Sequence, residues 1–128
     1  MSTSKEIVQR AYEAFSQGDV DTLLGYVADQ VDWEFVAPAS LPYAGRRSNK
    51  QEVAAFFSDI ARADDISAFE PREFIEAGEH LTVLGWEQAR ALDTGVQFDS
   101  SWVHVFTVKE GKITRWRGFS NTAARYGK

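Results

Sequence analysis

The chain has 128 residues, 44% of them hydrophobic and 26% charged, with a formal net charge of -5. That is one domain, residues 1–128, with one core and an ordinary globular composition. The acidic balance argues against a nucleic-acid partner, which would want a basic stripe, and the absence of cysteine excludes disulfides, a thiolate nucleophile and a thiolate metal site.

Thr3 and Glu6 stand at capping-box spacing, and Ile7, Ala11, Ala14 and Phe15 recur at helical spacing behind them, with Val8 and Tyr12 alongside. Gly18 sits where a helix takes a left-handed C-terminal residue. Asp19 then caps a short second helix carrying Leu23, Leu24 and Val27. Residues 31–36 read as the first strand, with Trp33 and Phe35 on one face and Asp32 and Glu34 on the other. Residues 37–47 hold Pro38, Pro42 and Gly45 and read as a loop. Ser48 and Gln51 resemble another capping box, ahead of a third helix with Val53, Phe56, Phe57 and Ile60 on one stripe. The basic cluster Arg46, Arg47 and Lys50 reads as a solvated loop and helix start.

Beyond residue 65 the period changes to that of strands. Residues 66–77 give a strand interrupted at Pro71, hence an edge strand. A hairpin turn centred on Gly78 leads to a long strand, 80–92, and Asp93-Thr94-Gly95 is the next turn. Residues 97–109 form the strongest strand, and Glu110-Gly111-Lys112 turns into the last one, 113–119. Phe98, Trp102, His104, Phe106 and Val108 share one face of residues 98–108, and Val103, Val105 and Thr107 the other. Both faces are largely apolar, so both are expected to be covered. Helices cover one. A second copy of the chain would cover the other, the alternative cover being the short C-terminal tail. Helices first and a strand meander after them predict helices folded over one curved sheet that encloses a pocket. No run approaches the roughly 18 apolar residues of a membrane helix, and residues 1–10 show no apolar stretch behind their charges. A soluble, cytoplasmic protein without a membrane partner is expected.

With these elements in place the chain resembles the SnoaL-like and ketosteroid-isomerase-like group of NTF2-like proteins. The resemblance covers nearly the whole chain. It rests on Gly18-Asp19, Val31-Asp32-Trp33, Tyr43-Ala44-Gly45-Arg46, Gly111-Lys112-Ile113, Trp116 and Asn121-Thr122-Ala123. It implies an α+β cone-shaped barrel, three N-terminal helices on a strongly curved mixed or antiparallel sheet. It does not fix an activity, because the group holds isomerases, cyclases, dehydratases, epoxide hydrolases and proteins without catalysis. The acid/base positions of ketosteroid isomerases fall on Ala11 (beside Tyr12), Phe35 (beside Glu34) and His104, so none is kept. The acid of the polyketide cyclases falls on Asn121, an amide that cannot abstract a proton. The epoxide-hydrolase acid network finds only Arg62-Ala63-Asp64, at a helix end.

What remains is a pocket for an apolar small molecule, with an isomerase, lyase or cyclase activity or with none; the alternative is a dimeric interaction module. His104 is the candidate proton-transfer group, since imidazole titrates near neutrality. Trp33, Phe35, Tyr43, Phe56 and Phe57 are candidate wall residues for a flat apolar ligand. So are Trp86, Trp102 and Phe119, with Phe15 beside them on the first helix. Tyr12, Tyr43 and Asn121 are candidate orienting hydrogen-bond partners. Glu34, Glu87, Arg90 and Arg117 are charges within strands and are expected on wet faces or in rim or dimer salt bridges. Glu87 and Arg90 are three apart and so lie on opposite faces, which lets one of them point inward; Gln88 is another candidate to reach the cavity. His80 and His104 are the only histidines, without carboxylates at ligand spacing, so neither a metal nor a cofactor is expected.

Overall fold

The first helix, α1 (Ser4–Ser16), starts at the capping box: the Thr3 hydroxyl accepts from the Glu6 amide and the Glu6 carboxylate accepts from the Thr3 amide. It ends in a Schellman arrangement, with Gly18 at φ +68°. There the Gly18 amide donates to Phe15 and the Asp19 amide to Ala14, which satisfies two carbonyls the helix leaves open. Asp19 at once caps α2 (Val20–Leu24) through the Thr22 amide. These details come from a computed structural model that describes residues 3–128.

β1 (Val27–Phe35) begins earlier than the alternation suggested. Residues 45–49, expected as the end of a loop and the start of a helix, instead hold β2 (Gly45–Asn49). β2 pairs antiparallel with β1, Gly45 opposite Phe35 and Arg47 opposite Trp33. It is an edge strand, and an edge needs no alternating apolar face. The cap of α3 (Lys50–Ala63) is shifted by one residue from the expected Ser48–Gln51 pair: Asn49 accepts from the Glu52 amide, and Glu52 accepts from the Ser48 amide and hydroxyl.

β3 (Asp64–Ala77), β4 (His80–Ala91), β5 (Gln97–Lys109) and β6 (Lys112–Ser120) form a meander, followed by the short α4 (Thr122–Arg125). The sheet order is β2-β1-β6-β5-β4-β3, antiparallel throughout except for the parallel pair β1 and β6. This is the expected α+β class, with a curved mixed sheet that does not close. β3 is indeed an edge, with its pairing to β4 interrupted between Ile66 and Ala68 and again between Pro71 and Glu73.

α1 packs across β3, β4, β5 and β6, and α3 across β1, β2 and β3. Val8, Val27, Val53 and Val83 are completely buried where these layers meet, each worth roughly 1.5–3 kcal/mol relative to exposure. A β-bulge decides which side chains of β6 join them. Arg115 pairs with Thr107 but Ile113 with Val108, which leaves Thr114 without an opposite number. Ile113 therefore faces inward, and so do Trp116 and Gly118, whereas Arg115 and Phe119 face out.

Candidate functional site

The inner faces of β4 and β5 build the floor of a cavity. These inward rows run Leu81, Val83, Gly85, Glu87, Ala89, Ala91 on β4 and Phe98, Ser100, Trp102, His104, Phe106 on β5, and of them Glu87, Trp102, His104 and Phe106 line the cavity. Gly85 lies opposite Trp102, and a Cβ there would overlap the indole, so the glycine lets the ring lie flat on the strand. Tyr12 and Phe15 come down from α1, and Phe56, Phe57 and Ile60 from α3. The accessible volume is about 90 Å³. That suffices for several waters, at roughly 10–15 Å³ of accessible volume each, but falls short of the roughly 300–1,000 Å³ of drug-sized ligand sites.

Most residues singled out in the sequence converge here. Trp33, Phe35, Tyr43, Phe56 and Phe57 line one side, and Tyr12, Phe15, Trp102 and His104 the other. Three do not. Trp86 follows the alternation of β4 onto the outer face, where the Arg72 guanidinium sits 5.0 Å above its ring. Phe119 is turned outward by the bulge in β6 and is 41% exposed. Asn121 is exposed at the start of α4; its backbone amide donates to the Ser100 hydroxyl, and its side chain caps nothing.

His104 is 9% exposed. The Tyr12 hydroxyl and its Nδ1 share a hydrogen bond of 2.7 Å, and the Trp102 indole stacks on the imidazole at 4.1 Å. Burial pushes the imidazole down to about 3 and the Tyr12 phenol well up, so both are neutral at physiological pH. Which of the two holds the shared proton sets what the pair can do. If Nδ1 donates, the Tyr12 hydroxyl is free to donate into the cavity.

Toward the other end of the cavity the chemistry changes. Asp64 is 7% exposed and Arg125 2% exposed. The carboxylate accepts from the Tyr43 hydroxyl at 2.6 Å and from Arg125 Nε at 2.9 Å. Arg125 also reaches the Ala63 carbonyl and Asp93. Burial and this hydrogen bond raise the Tyr43 phenol. Beside them, Glu87 lines the cavity, with no hydrogen bond or ion pair from its carboxyl among the described residues. Burial, reinforced by the charge of Asp64, lifts Glu87 to about 7. Glu34 and Arg90 stay on the surface in ion pairs with Arg117 and Asp65, and Gln88 binds Asp99 on the outer face.

Glu87 is the member of the Glu87–Arg90 pair that points inward, as the alternation allowed for one of them, and Asp64 and Phe69 are among the lining residues that reading the sequence did not single out. Glu87 had a legible signal, being the lone charge on an alternate row that otherwise reads Leu81, Val83, Gly85, Ala89, Ala91. Asp64 and Arg125 had none, since 61 positions separate the partners. Three donors, the indole N–H groups of Trp33 and Trp102 and Nη1 of Arg125, are buried without a hydrogen-bond partner among the described residues. No group of three or more acidic or histidine side chains among those residues could hold a metal ion, and no helix there is long and apolar enough to cross a membrane.

A family model described as SnoaL-like domain matches residues 8–116. No curated protein matches the sequence. Among solved structures, an NTF2-like protein from Burkholderia xenovorans LB400 is 31% identical, with a TM-score of 0.86 over 99% of this chain and 97% of that one. An NTF2-like protein from Burkholderia thailandensis E264 is 24% identical, with a TM-score of 0.90 over 99% and 97% of the two chains. TerC, co-crystallised with polyporic acid, is 24% identical, with a TM-score of 0.85 over 98% and 97%.

Proposed function

Since the chain belongs to the SnoaL-like domain family of NTF2-like proteins, we propose that it binds a mainly apolar, oxygen-bearing small molecule in the aromatic cavity and moves a proton on it. The observation that carries this reading is the pair of titratable groups set apart in one apolar enclosure: His104 held neutral and Glu87 lifted to about 7. Opposed shifts of this kind separate the acid/base group from the hydrogen-bonding group in enzyme sites. Glu87 takes the proton-transfer role that the sequence suggested for His104, because a group titrating near neutrality exchanges protons best. The Tyr12–His104 pair takes the orienting role, offering a neutral donor to a ligand oxygen.

The reaction class is proton abstraction beside a carbonyl. The test uses 2-tetralone, an aromatic-fused ketone, in deuterated water. The wild type accelerates hydrogen–deuterium exchange at the carbon next to the carbonyl, with an apparent pKa near 7, and Glu87→Gln loses the acceleration. Equal rates in the two proteins would leave the second reading, a binding protein without chemistry, which the small cavity and the neutral His104 favour.

The outer face of the sheet supports a homodimer. Leu84, Val103 and Phe119 stand opposite one another across three strands, with Trp86 next in the row. Val103 is half-buried and Phe119 41% exposed in the single chain. The tail does not supply the cover, since Ala124 packs instead on Ala89, Ala91 and Phe98. Light scattering at micromolar concentration should give twice the chain mass, and Val103→Arg should halve it.

A further inference from the structure

An open groove of about 510 Å³ runs between α1 and β3. Four residues, Tyr12, Phe15, Ile66 and Phe69, line both this groove and the buried cavity, so they form the partition between the two. The groove reaches the size range of small-molecule sites that the cavity alone does not.

Phe69 is the leaf of that partition that local structure holds least. It sits on an edge strand, and the breaks in pairing at Ile66/Ala68 and at Pro71/Glu73 fall on either side of it. Bulges of this kind weaken a ladder locally and recur beside functional sites. Its ring is half-buried and held by stacking alone: on Trp102 at 4.8 Å, against Phe15 at 5.0 Å and near Tyr12 at 6.1 Å. Its register partner across the strands is Glu87. Turning the Phe69 side chain toward the groove would therefore uncover the carboxyl and the Trp102 face in one movement.

We infer that Phe69 is the gate between cavity and groove, and that the ligand is an elongated molecule that occupies both. Its buried end is apolar, to match the aromatic walls. Its outer end is polar and not anionic, because the rim carries Gln9, Ser16, Ser67 and the carboxylate of Glu13. This inference rests on the reading of the cavity as the ligand site, but not on proton transfer by Glu87.

The probes are N-phenyl-1-naphthylamine, a neutral two-lobed fluorophore, and its anionic analogue 8-anilinonaphthalene-1-sulfonate. The neutral probe should bind about tenfold tighter or better, by the charge of the rim. An entry state populated at a few per cent limits association, so Phe69→Ala should speed binding of the neutral probe by about tenfold. Phe69→Leu should give a smaller gain, and Phe69→Trp should slow it. 4-Fluorophenylalanine at position 69 supplies a readout without truncation: its fluorine resonance should shift when the neutral probe binds. Tight binding whose rate ignores residue 69, with an unmoved fluorine signal, overturns the gate and leaves the pocket standing. Equal affinity for the two probes overturns the assignment of the outer end. Failure of the neutral probe to bind wild type and every variant overturns the pocket itself.

Discussion

At one end of the cavity Tyr12 and His104 share a hydrogen bond and carry no charge; at the other, Asp64 and Arg125 form an ion pair that is almost completely buried. Both ends are buried, and they meet the cost of burial differently. The first neutralises its groups and stacks them between aromatic rings. The second keeps its charges and gives the carboxylate two donors, Tyr43 and Arg125. Glu87 lies beside the charged end, where Asp64 helps to keep its proton on. The contrast shows that the environment, not the residue type, decides which carboxyl in this cavity can exchange a proton near neutrality.

The sharpest way to break the charged end is Arg125→Ala. It strands Asp64 in a buried site, and the loss of one partner from such a pair costs about 3–5 kcal/mol. Chemical denaturation should show a fall of that size, and the double variant Arg125→Met with Asp64→Leu should recover most of it. Next comes the pH dependence, where the two ends act with opposite sign. The folded value of Glu87 is raised, so its contribution is full below the usual carboxylate range and is lost as pH rises through about 7. The folded value of His104 is lowered, so its contribution is full above the usual imidazole range and is lost as pH falls toward about 3. Glu87→Gln should therefore gain on wild type between pH 5 and pH 8 by on the order of 1–3 kcal/mol, and should leave the acid limb unchanged. At the neutral end, Tyr12→Phe removes one hydrogen bond and should cost about 1 kcal/mol, measured by the same denaturation. The smallest effect belongs to neither end. Arg46→Ala removes an exposed contact to Glu34 and should change stability by less than about 0.5 kcal/mol.

Local signals carried most of the fold. The Thr3–Glu6 box, Gly18-Asp19 and the turns at Gly78, Gly95 and Gly111 each act within a few residues, and all are present as read, each glycine at positive φ. β2 was not legible, because Arg46-Arg47-Ser48 has no apolar alternation and its pairing depends on β1. The aromatic walls followed from face patterns, except where a bulge or a simple alternation error intervened. Phe119 faces out because Thr114 shifts the phase of β6, and Trp86 because it is an even neighbour on a strand whose odd positions face in. The charged end depends on contacts between α4, β3 and the turn at Asp93, which no window of sequence brings together.

The unpaired Thr114 also bears on how such a chain can change in length. Deleting Thr114 would take out the bulge and leave plain alternation, with Ile113, Trp116 and Gly118 still facing in and Arg115, Arg117 and Phe119 still facing out. Flattening the strand with Thr114 kept would do the opposite, expelling Trp116 and drawing Arg115, Arg117 and Phe119 toward the interior. At this position the chain can therefore lose a residue without changing what the cavity wall presents, and the bulge is what keeps the longer chain's wall in phase.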